Sequence, residues 1–197
     1  LAVKGMSGYN LVDCKTNDFR TIALPVQKSG ETSKEGYAIG NEVTSDMAIR
    51  RALANGVNRQ KIIDTVLNGY GEVAYTISQG LPWDNKEVIL TDGNVEAAKK
   101  ILDDAGWVDT DGDGIREKNG RKAEFSLIYA SDDSTRQSIS MAFSEQAKTF
   151  GINVIIEGLS SADRNPRKHK DAFMLGGGDY NTTPVYNALY GAYAAKG

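Results

Sequence analysis

The sequence predicts an α/β fold, chiefly because three successive segments between residues 123 and 156 are patterned as a strand, a helix and a strand. In the first segment apolar residues alternate with polar ones, at Ala123, Phe125, Leu127 and Tyr129. In the second they recur at helical spacing, at Ile139, Phe143, Ala147 and Phe150, and in the third they alternate again, at Ile152, Val154 and Ile156. A strand, a helix and a strand within about 35 residues predict a βαβ unit whose two strands are parallel.

Three further helices are predicted upstream of this unit, each beginning at a polar residue that can cap its N-terminus. The predicted caps are Ser45 for the first helix, Asn58 for the second, and either Asp92 or Asn94 for the third. An apolar stripe follows each cap and a glycine follows each stripe, as expected where a helix ends.

Shorter elements flank the helices. Residues 19–26 alternate in part and contain Pro25, which predicts a short strand at the edge of a sheet. Residues 171–175 predict another short strand, and residues 182–194 predict a helix. We therefore expect a sheet of several strands with helices packed against it.

Composition excludes several classes of protein. The 197 residues include 23 basic and 26 acidic side chains, a net charge of −3, which argues against a nucleic-acid-binding protein. Cys14 and His169 are the single cysteine and histidine, so an internal disulfide, a Cys-rich zinc site and a multi-histidine metal site are excluded. No nucleophile–base pair, phosphate loop or cofactor motif is present, and we predict neither an enzyme nor a cofactor. The basic cluster at residues 164–170 predicts a solvated connection, with an anion site as the alternative.

An acidic turn between the third helix and the βαβ unit is patterned like a calcium loop. Asp109, Asp111 and Asp113 occupy positions 1, 3 and 5 of such a loop, but Gly120 stands where position 12 requires a bidentate Glu. We interpret the segment as a helix-to-strand turn, tightened by Asx hydrogen bonds and by a pair between Arg116 and a carboxylate. Calcium binding by the three aspartates is the alternative hypothesis.

Four ordered segments resemble the family 5 solute-binding proteins of ABC importers, which include dipeptide, oligopeptide and nickel receptors. The segments are DMAIRRAL with NRQKII (residues 46–63), NGYG to GLPW (68–83), AAKKIL with AGW and the acidic turn (97–117), and QSISMAFSEQ with GINV (137–154). Members of that family have two lobes and bind their ligand in the cleft between them. The resemblance covers the second lobe.

The resemblance implies a fold, a function and a location. We expect residues 1–197 to be a single α/β lobe of a periplasmic-binding-protein-like fold (class II, cluster C type), with a mixed sheet flanked by helices, truncated at both ends. It would capture peptides or a related small solute and deliver them to the transmembrane subunits of an ABC permease, together with the missing first lobe. The implied location is extracytoplasmic, either in the periplasm or lipid-anchored at the outer face of the cell membrane.

The candidate ligand-binding residues follow the last predicted strand, in a segment similar to the family's stretch at the cleft. They are Gly177, Gly178, Asp179, Tyr180 and Asn181. By the resemblance, Asp179 would pair with the α-ammonium group of a peptide. Gly177 stands where the family has a Trp, which leaves the ligand class open. The alternatives are a flexible glycine turn with Asp179 as a helix cap, a nickel or metal-chelate receptor of the same family, and a calcium-stabilised structural domain.

Overall fold

A four-stranded mixed sheet organises the chain in the computed structural model, which describes residues 5–12, 14–76 and 78–178. The helices are Met47–Gly56 (α1), Arg59–Val66 (α2), Val95–Asp104 (α3), Ser134–Lys148 (α4) and Ser161–Arg164 (α5). The strands are Phe19–Ala23 (β1), Glu31–Thr32 (β2), Ala38–Ile39 (β3), Glu117–Lys118 (β4), Arg121–Lys122 (β5), Glu124–Ala130 (β6), Asn153–Leu159 (β7) and Ala172–Gly177 (β8). The α/β prediction is confirmed.

The strand order of the sheet is β1-β8-β6-β7, while β2 with β3 and β4 with β5 form separate hairpins. β6 is parallel to both of its neighbours, β7 and β8, whereas β1 runs antiparallel to β8. Since α4 joins β6 to β7, the predicted βαβ unit is confirmed. The strand predicted within residues 19–26 is also confirmed as β1, at the edge of the sheet, and it ends at Ala23, two residues before Pro25.

Two of the predicted helix caps are confirmed and one is wrong by a single residue. Asn58 caps α2, and Asn94 caps α3. α1 is capped by Asp46 rather than by Ser45, whose hydroxyl instead donates to the Glu42 carbonyl. The physical reason is that a carboxylate at position 46 serves several donors at once.

The Asp46 carboxylate links α1 to the turn that follows α3. One oxygen accepts from Ala48 N at 2.9 Å, and the other accepts from Trp107 Nε1 at 3.0 Å and from Lys118 Nζ at 2.8 Å. Burial works to raise the pKa of Asp46, but the hydrogen bonds from Lys118, Ala48 and Trp107 outweigh it, so its pKa is lowered. Trp107 itself is 2% exposed.

The two faces of the sheet are covered unequally. The first face packs against α4, and α1 and α3 complete the same core. The strand residues in that core are Ile22, Phe125, Leu127, Tyr129, Val154, Ile156, Ala172 and Met174. The second face carries Ile128 and Phe173, which are cross-strand neighbours, and the short helix α5 packs against it. Arg164 of α5 lies 5.8 Å from the centre of the Phe173 ring.

Candidate functional site

The ends of the parallel strands define two opposite edges of the sheet. β6, β7 and β8 all end at one edge, at Ala130, Leu159 and Gly177, and the antiparallel strand β1 begins there. We call this the carboxyl edge, and the opposite one the amino edge. In α/β sheets ligands bind beyond the carboxyl ends of the strands, so the carboxyl edge is the first place to look for a site.

The carboxyl edge carries the glycine run that the sequence singled out. Gly176 and Gly177 end β8, and Gly178 follows as an exposed residue. A Cβ atom at Gly178 would lie 2.7 Å from the Asn17 carbonyl oxygen, and one at Gly176 would lie 2.9 Å from the Phe19 carbonyl oxygen. Two of the three glycines are therefore required by the close approach of β1, an ordinary packing reason.

Gly177 differs from its neighbours, because its missing side chain faces an aromatic ring rather than backbone. Phe19 is its partner across the strands, and a Cβ atom at Gly177 would lie 3.3 Å from Phe19 Cζ. Of the five candidate ligand residues, Gly177 and Gly178 lie at the carboxyl edge. Asp179, Tyr180, Asn181 and the predicted helix at residues 182–194 lie outside the described residues.

The start of β1 is the part of this edge that sequence reasoning missed. Asn17 Nδ2 is shielded from solvent and has no hydrogen-bond partner among the described residues, while Asp18 accepts a hydrogen bond from Arg20 Nη1 at 2.6 Å. Nothing in the spacing of residues 17–20 marks them as a site. They belong to this edge because the antiparallel pairing of β1 with β8 places them beside residues 176–178.

The acidic turn lies at the amino edge, where Arg116 N bonds to Gly151 O just before β7. The predicted Asx hydrogen bonds are confirmed. The two carboxylate oxygens of Asp109 accept from Gly112 N at 2.8 Å and from Gly114 N at 3.0 Å. Asp111 and Asp113 accept from the backbone two residues further on, at 3.1 and 2.8 Å.

Carboxylate oxygens of Asp109, Asp111, Asp113 and Glu117 all lie within 4.8 Å of one another, close enough to hold a cation. The Lys122 side chain competes with a cation for these carboxylates. Its ammonium group pairs with Asp111 at 3.3 Å and forms a shorter pair with Asp113. Hydrogen bonding to Lys122 is the largest cause of the lowered pKa of Asp113. The side chain of the protein's own Lys122 thus neutralises part of the charge that would attract calcium.

The predicted Arg116–carboxylate pair is confirmed, with Asp103 of α3 as the carboxylate. The Arg116 side chain is 13% exposed and also donates to Trp107 O at 2.7 Å and to Phe150 O at 3.1 Å. It therefore binds the end of α3 and the end of the α4 segment to the acidic turn. The role of Arg116 in this arrangement is structural, since it holds these segments together.

His169 also lies on the amino side, since it precedes β8, and its carbonyl accepts from Gly40 N at 2.9 Å. Burial, and then the charge of Lys168, lower the pKa of its imidazole. Elsewhere in the basic cluster, Arg167 pairs with Glu157 at 2.7 Å and with Asp171 at 2.6 Å. The basic cluster, predicted to be a solvated connection, is therefore held in part by these ion pairs. Cys14 is exposed.

Two surface depressions lie outside the glycine run of β8. One of about 310 Å³ is lined by residues of the amino edge, including Arg116 and Gly151, and one of about 360 Å³ lies beside α4 and includes Met141 and Ile156. Both are shallow and open, and neither is lined by Gly177 or Gly178. Within the described ranges, no helix is long and apolar enough to span a bilayer.

Comparisons with known proteins agree with the fold just described. A family profile described as "Bacterial extracellular solute-binding proteins, family 5 Middle" matches residues 8–197. "Protein XP55" of Streptomyces lividans is 34% identical over 189 residues, and "Oligopeptide-binding protein AppA" of Bacillus subtilis is 34% identical over 170 residues. These alignments cover 93% and 82% of this chain but 32% and 31% of the relatives, so the chain spans about a third of their length.

Solved structures of other proteins also match the fold of this chain. AppA of Bacillus subtilis in complex with a nonapeptide superposes with a TM-score of 0.60 at 29% identity, covering 82% of this chain and 33% of that one. NikA of Brucella suis in complex with Fe(III)-EDTA superposes with a TM-score of 0.76 at 21% identity, covering 91% of this chain and 34% of that one. The fold is therefore periplasmic-binding-protein-like.

Proposed function

Because the chain belongs to the bacterial extracellular solute-binding proteins of family 5, we propose that it forms one lobe of a receptor that supplies an ABC importer. The ligand would be a peptide or a related small solute. The observation that carries this proposal is the family match over residues 8–197, supported by 34% identity to an oligopeptide-binding protein. The location would be extracytoplasmic, in the periplasm or at a lipid anchor, and the action would be binding without catalysis.

The proposed mechanism is closure of two lobes around the solute, with the closed state recognised by the transmembrane subunits of the permease. The carboxyl edge is the surface of this lobe that would face the cleft. Asp179, directly after Gly178, would pair with the α-ammonium group of a peptide, and Tyr180 and Asn181 would contribute polar groups beside it. A carboxylate acting in a partly desolvated cleft gives a stronger ion pair than one in water.

Thermal unfolding of the full-length protein with and without tri- and tetra-alanine tests the proposal. A ligand at 100 times its Kd adds about 2.7 kcal/mol to the free energy of unfolding. We expect a clear shift in the unmodified protein and in Asp132→Ala, which removes an exposed carboxylate at the same edge. We expect no shift in Asp179→Ala. Equal shifts in both variants would contradict the role of Asp179, and the absence of any shift with peptides would contradict the peptide assignment.

A nickel or metal-chelate receptor is the alternative within the same family. The one histidine of the chain, His169, precedes β8, whereas the carboxyl edge lies at the far end of that six-residue strand. Such a strand is about 20 Å long. An imidazole from this lobe is therefore badly placed to bind a metal in the cleft, which favours the peptide assignment. A thermal shift with nickel and free histidine, but none with peptides, would reverse that preference.

A further inference from the structure

The outer side of β7 is open. β7 is the last strand in the order β1-β8-β6-β7, and no other strand within the described ranges pairs with its outer side. Asn153 N donates to the carbonyl of Ala123, the residue before β6, so Asn153 and every second residue after it direct their backbone groups toward β6. The residues of β7 whose N–H and C=O groups point outward are therefore Val154, Ile156 and Gly158.

β7 has few of the features that keep an edge strand from pairing with another chain. It is seven residues long and contains neither Lys nor Pro. Ile155 is 43% exposed, and Glu157, the one charged residue of the strand, is paired with Arg167. Val154 O accepts from Ser144 Oγ at 2.7 Å, but a carbonyl oxygen has a second lone pair for another donor. The edge is therefore able to accept a further strand.

A depression of about 360 Å³ lies beside this edge on the first face of the sheet, between β7 and α4. Met141, in the wall that α4 provides, is 49% exposed. The depression adds an apolar surface to the open backbone groups of β7. Its lining residues are Tyr129, Gln137, Met141, Ser144, Glu145 and Ile156.

The open edge of β7 is complementary to itself under a twofold rotation. When Ile156 of two copies lie opposite each other, Val154 of each copy lies opposite Gly158 of the other. All the outward backbone groups of both strands then pair in an antiparallel ladder. On the second face, Ile155 of one copy lies opposite Glu157 of the other, so that no two like charges meet across the strands.

The outer side of α4 follows the same symmetry. Gln137 and Glu145 are equally far from Met141 and lie about 12 Å apart along the helix, while Val154 and Gly158 lie about 13 Å apart along β7. α4 runs antiparallel to β7, and Ser144 holds the Glu145 end of the helix beside Val154. The rotation therefore places Met141 beside Met141 of the second copy, and the Gln137 amide beside the Glu145 carboxylate of the second copy.

We propose that two copies of this protein associate through β7 and α4, so that their two four-stranded sheets join into one. The two β7 strands run antiparallel, so the carboxyl edges of the two copies point in opposite directions and stay uncovered. The inference does not depend on the proposed function. Because each copy contributes one strand and one helix, the interface is small and the dimer is weak.

Sedimentation velocity of the full-length protein between about 1 and 200 µM tests the proposal, since we expect a dimer with a Kd of about 10–50 µM. Met141→Glu brings two carboxylates together at the twofold axis and should raise the Kd at least about tenfold. Met47→Glu is the matched control, because Met47 is an equally exposed methionine on α1, which lies away from β7. It should leave the Kd unchanged.

Two substitutions at Gln137 test the register of the pairing. Gln137→Lys places an ammonium group beside Glu145 of the second copy and should lower the Kd about threefold, whereas Gln137→Glu should raise it about threefold. Salt should reduce both effects. A dimer that is indifferent to Met141→Glu, or whose Kd moves in the same direction in both Gln137 variants, would overturn the proposal.

A full-length protein that stays monomeric over the whole concentration range would also overturn it. Hydrogen exchange at the Ile156 and Gly158 amides would then distinguish the remaining possibilities. Slow exchange in the monomer would mean that another segment of the full-length protein covers the edge, and fast exchange would mean that the edge stays free.

Discussion

The amino and carboxyl edges of the same sheet are built in opposite ways. At the amino edge the acidic turn is bonded internally, and Arg116 joins it to Asp103, Trp107 and Phe150. At the carboxyl edge β8 ends in glycines, and the buried amide nitrogen of Asn17 has no partner within the part of the chain that the structure describes. Yet the amino edge holds the segment that most resembles a known site in sequence, the near-calcium loop.

The difference teaches that a cluster of charged residues can form a bonded structural turn, so its charge alone does not identify a binding site. The carboxylates of the acidic turn already have partners, in backbone amides and in Lys122. At the carboxyl edge the glycines that end β8 lie against β1, and the contacts there are mainly between backbones. Four predictions test this contrast.

The largest effect is expected at the amino edge, from Arg116→Ala. The substitution leaves the Asp103 carboxylate and two carbonyl groups without their donor, in a place where the arginine is 13% exposed. We expect a loss of about 3 kcal/mol in the free energy of unfolding, measured with urea. Arg51→Ala, on the exposed surface of α1, is the control and should change it by less than about 0.5 kcal/mol. Similar losses in both variants would show that Arg116 does not hold the amino edge together.

At the carboxyl edge, the two neighbouring glycines should respond differently to alanine. In Gly178→Ala the new Cβ meets the backbone of Asn17 and Asp18 at 2.7 Å, which can be relieved only by moving β1. We expect a loss of about 2 kcal/mol in thermal or urea unfolding. Gly177→Ala meets the Phe19 ring, which can turn about its side-chain torsions, and should cost less than about 1 kcal/mol. The reverse order would contradict the described pairing of β1 with β8.

The second face of the sheet should give the protein a measurable acid sensitivity. Hydrogen bonds from Arg167, and then from Ser126, lower the pKa of Glu157 from 4.5 to about 2. Because the folded-state pKa is the lower one, the stabilisation is fully present above pH 4.5 and is lost as the pH falls from there toward 2. We expect the pair of Arg167 and Glu157 to contribute about 1–2 kcal/mol to the free energy of unfolding, since both side chains are partly exposed and solvent screens the pair.

The measurement is urea stability between pH 6 and pH 3, with about 1 pH unit between points. Glu157→Gln should flatten the profile relative to the unmodified protein. Glu145→Gln, an exposed position on α4, is the control and should leave the slope unchanged. If Glu157→Gln keeps the full slope, the acid sensitivity arises elsewhere.

The smallest effect is expected from calcium at the acidic turn. Lys122 is paired with Asp111 and Asp113 and competes with calcium for them. We therefore expect about 1 mM calcium to add less than about 0.4 kcal/mol to the free energy of unfolding, which corresponds to a Kd of about 1 mM or weaker. Lys122→Ala removes the resident cation and should increase the response, measured as a shift in melting temperature. A shift of several degrees in the unmodified protein would favour the calcium-stabilised domain.

Local patterns predicted most of the elements correctly, because they depend on near neighbours in the chain. The alternation of residues 123–129 predicted β6, and Asn58 and Asn94 were predicted as caps of α2 and α3. None of these predictions required knowledge of distant contacts. The cap of α1 was misplaced by one residue since Asp46 is also held by Trp107 and Lys118, far away in sequence. Long-range partners of this kind leave no local signature.

The sequence by itself determined the α/β class, the βαβ unit, the Asx-bonded acidic turn and the resemblance to a solute-binding family. These follow from periodicity, capping and ordered motifs, all of which are read along one stretch of chain. The tertiary structure decided which edge each motif occupies and what lies beside it. Residues 17–19 reach Gly177 and Gly178 only through the antiparallel pairing of β1 with β8, across some 160 positions in the chain. Pairing between distant strands is set by the packing of the whole sheet, and no pattern within either strand specifies its partner.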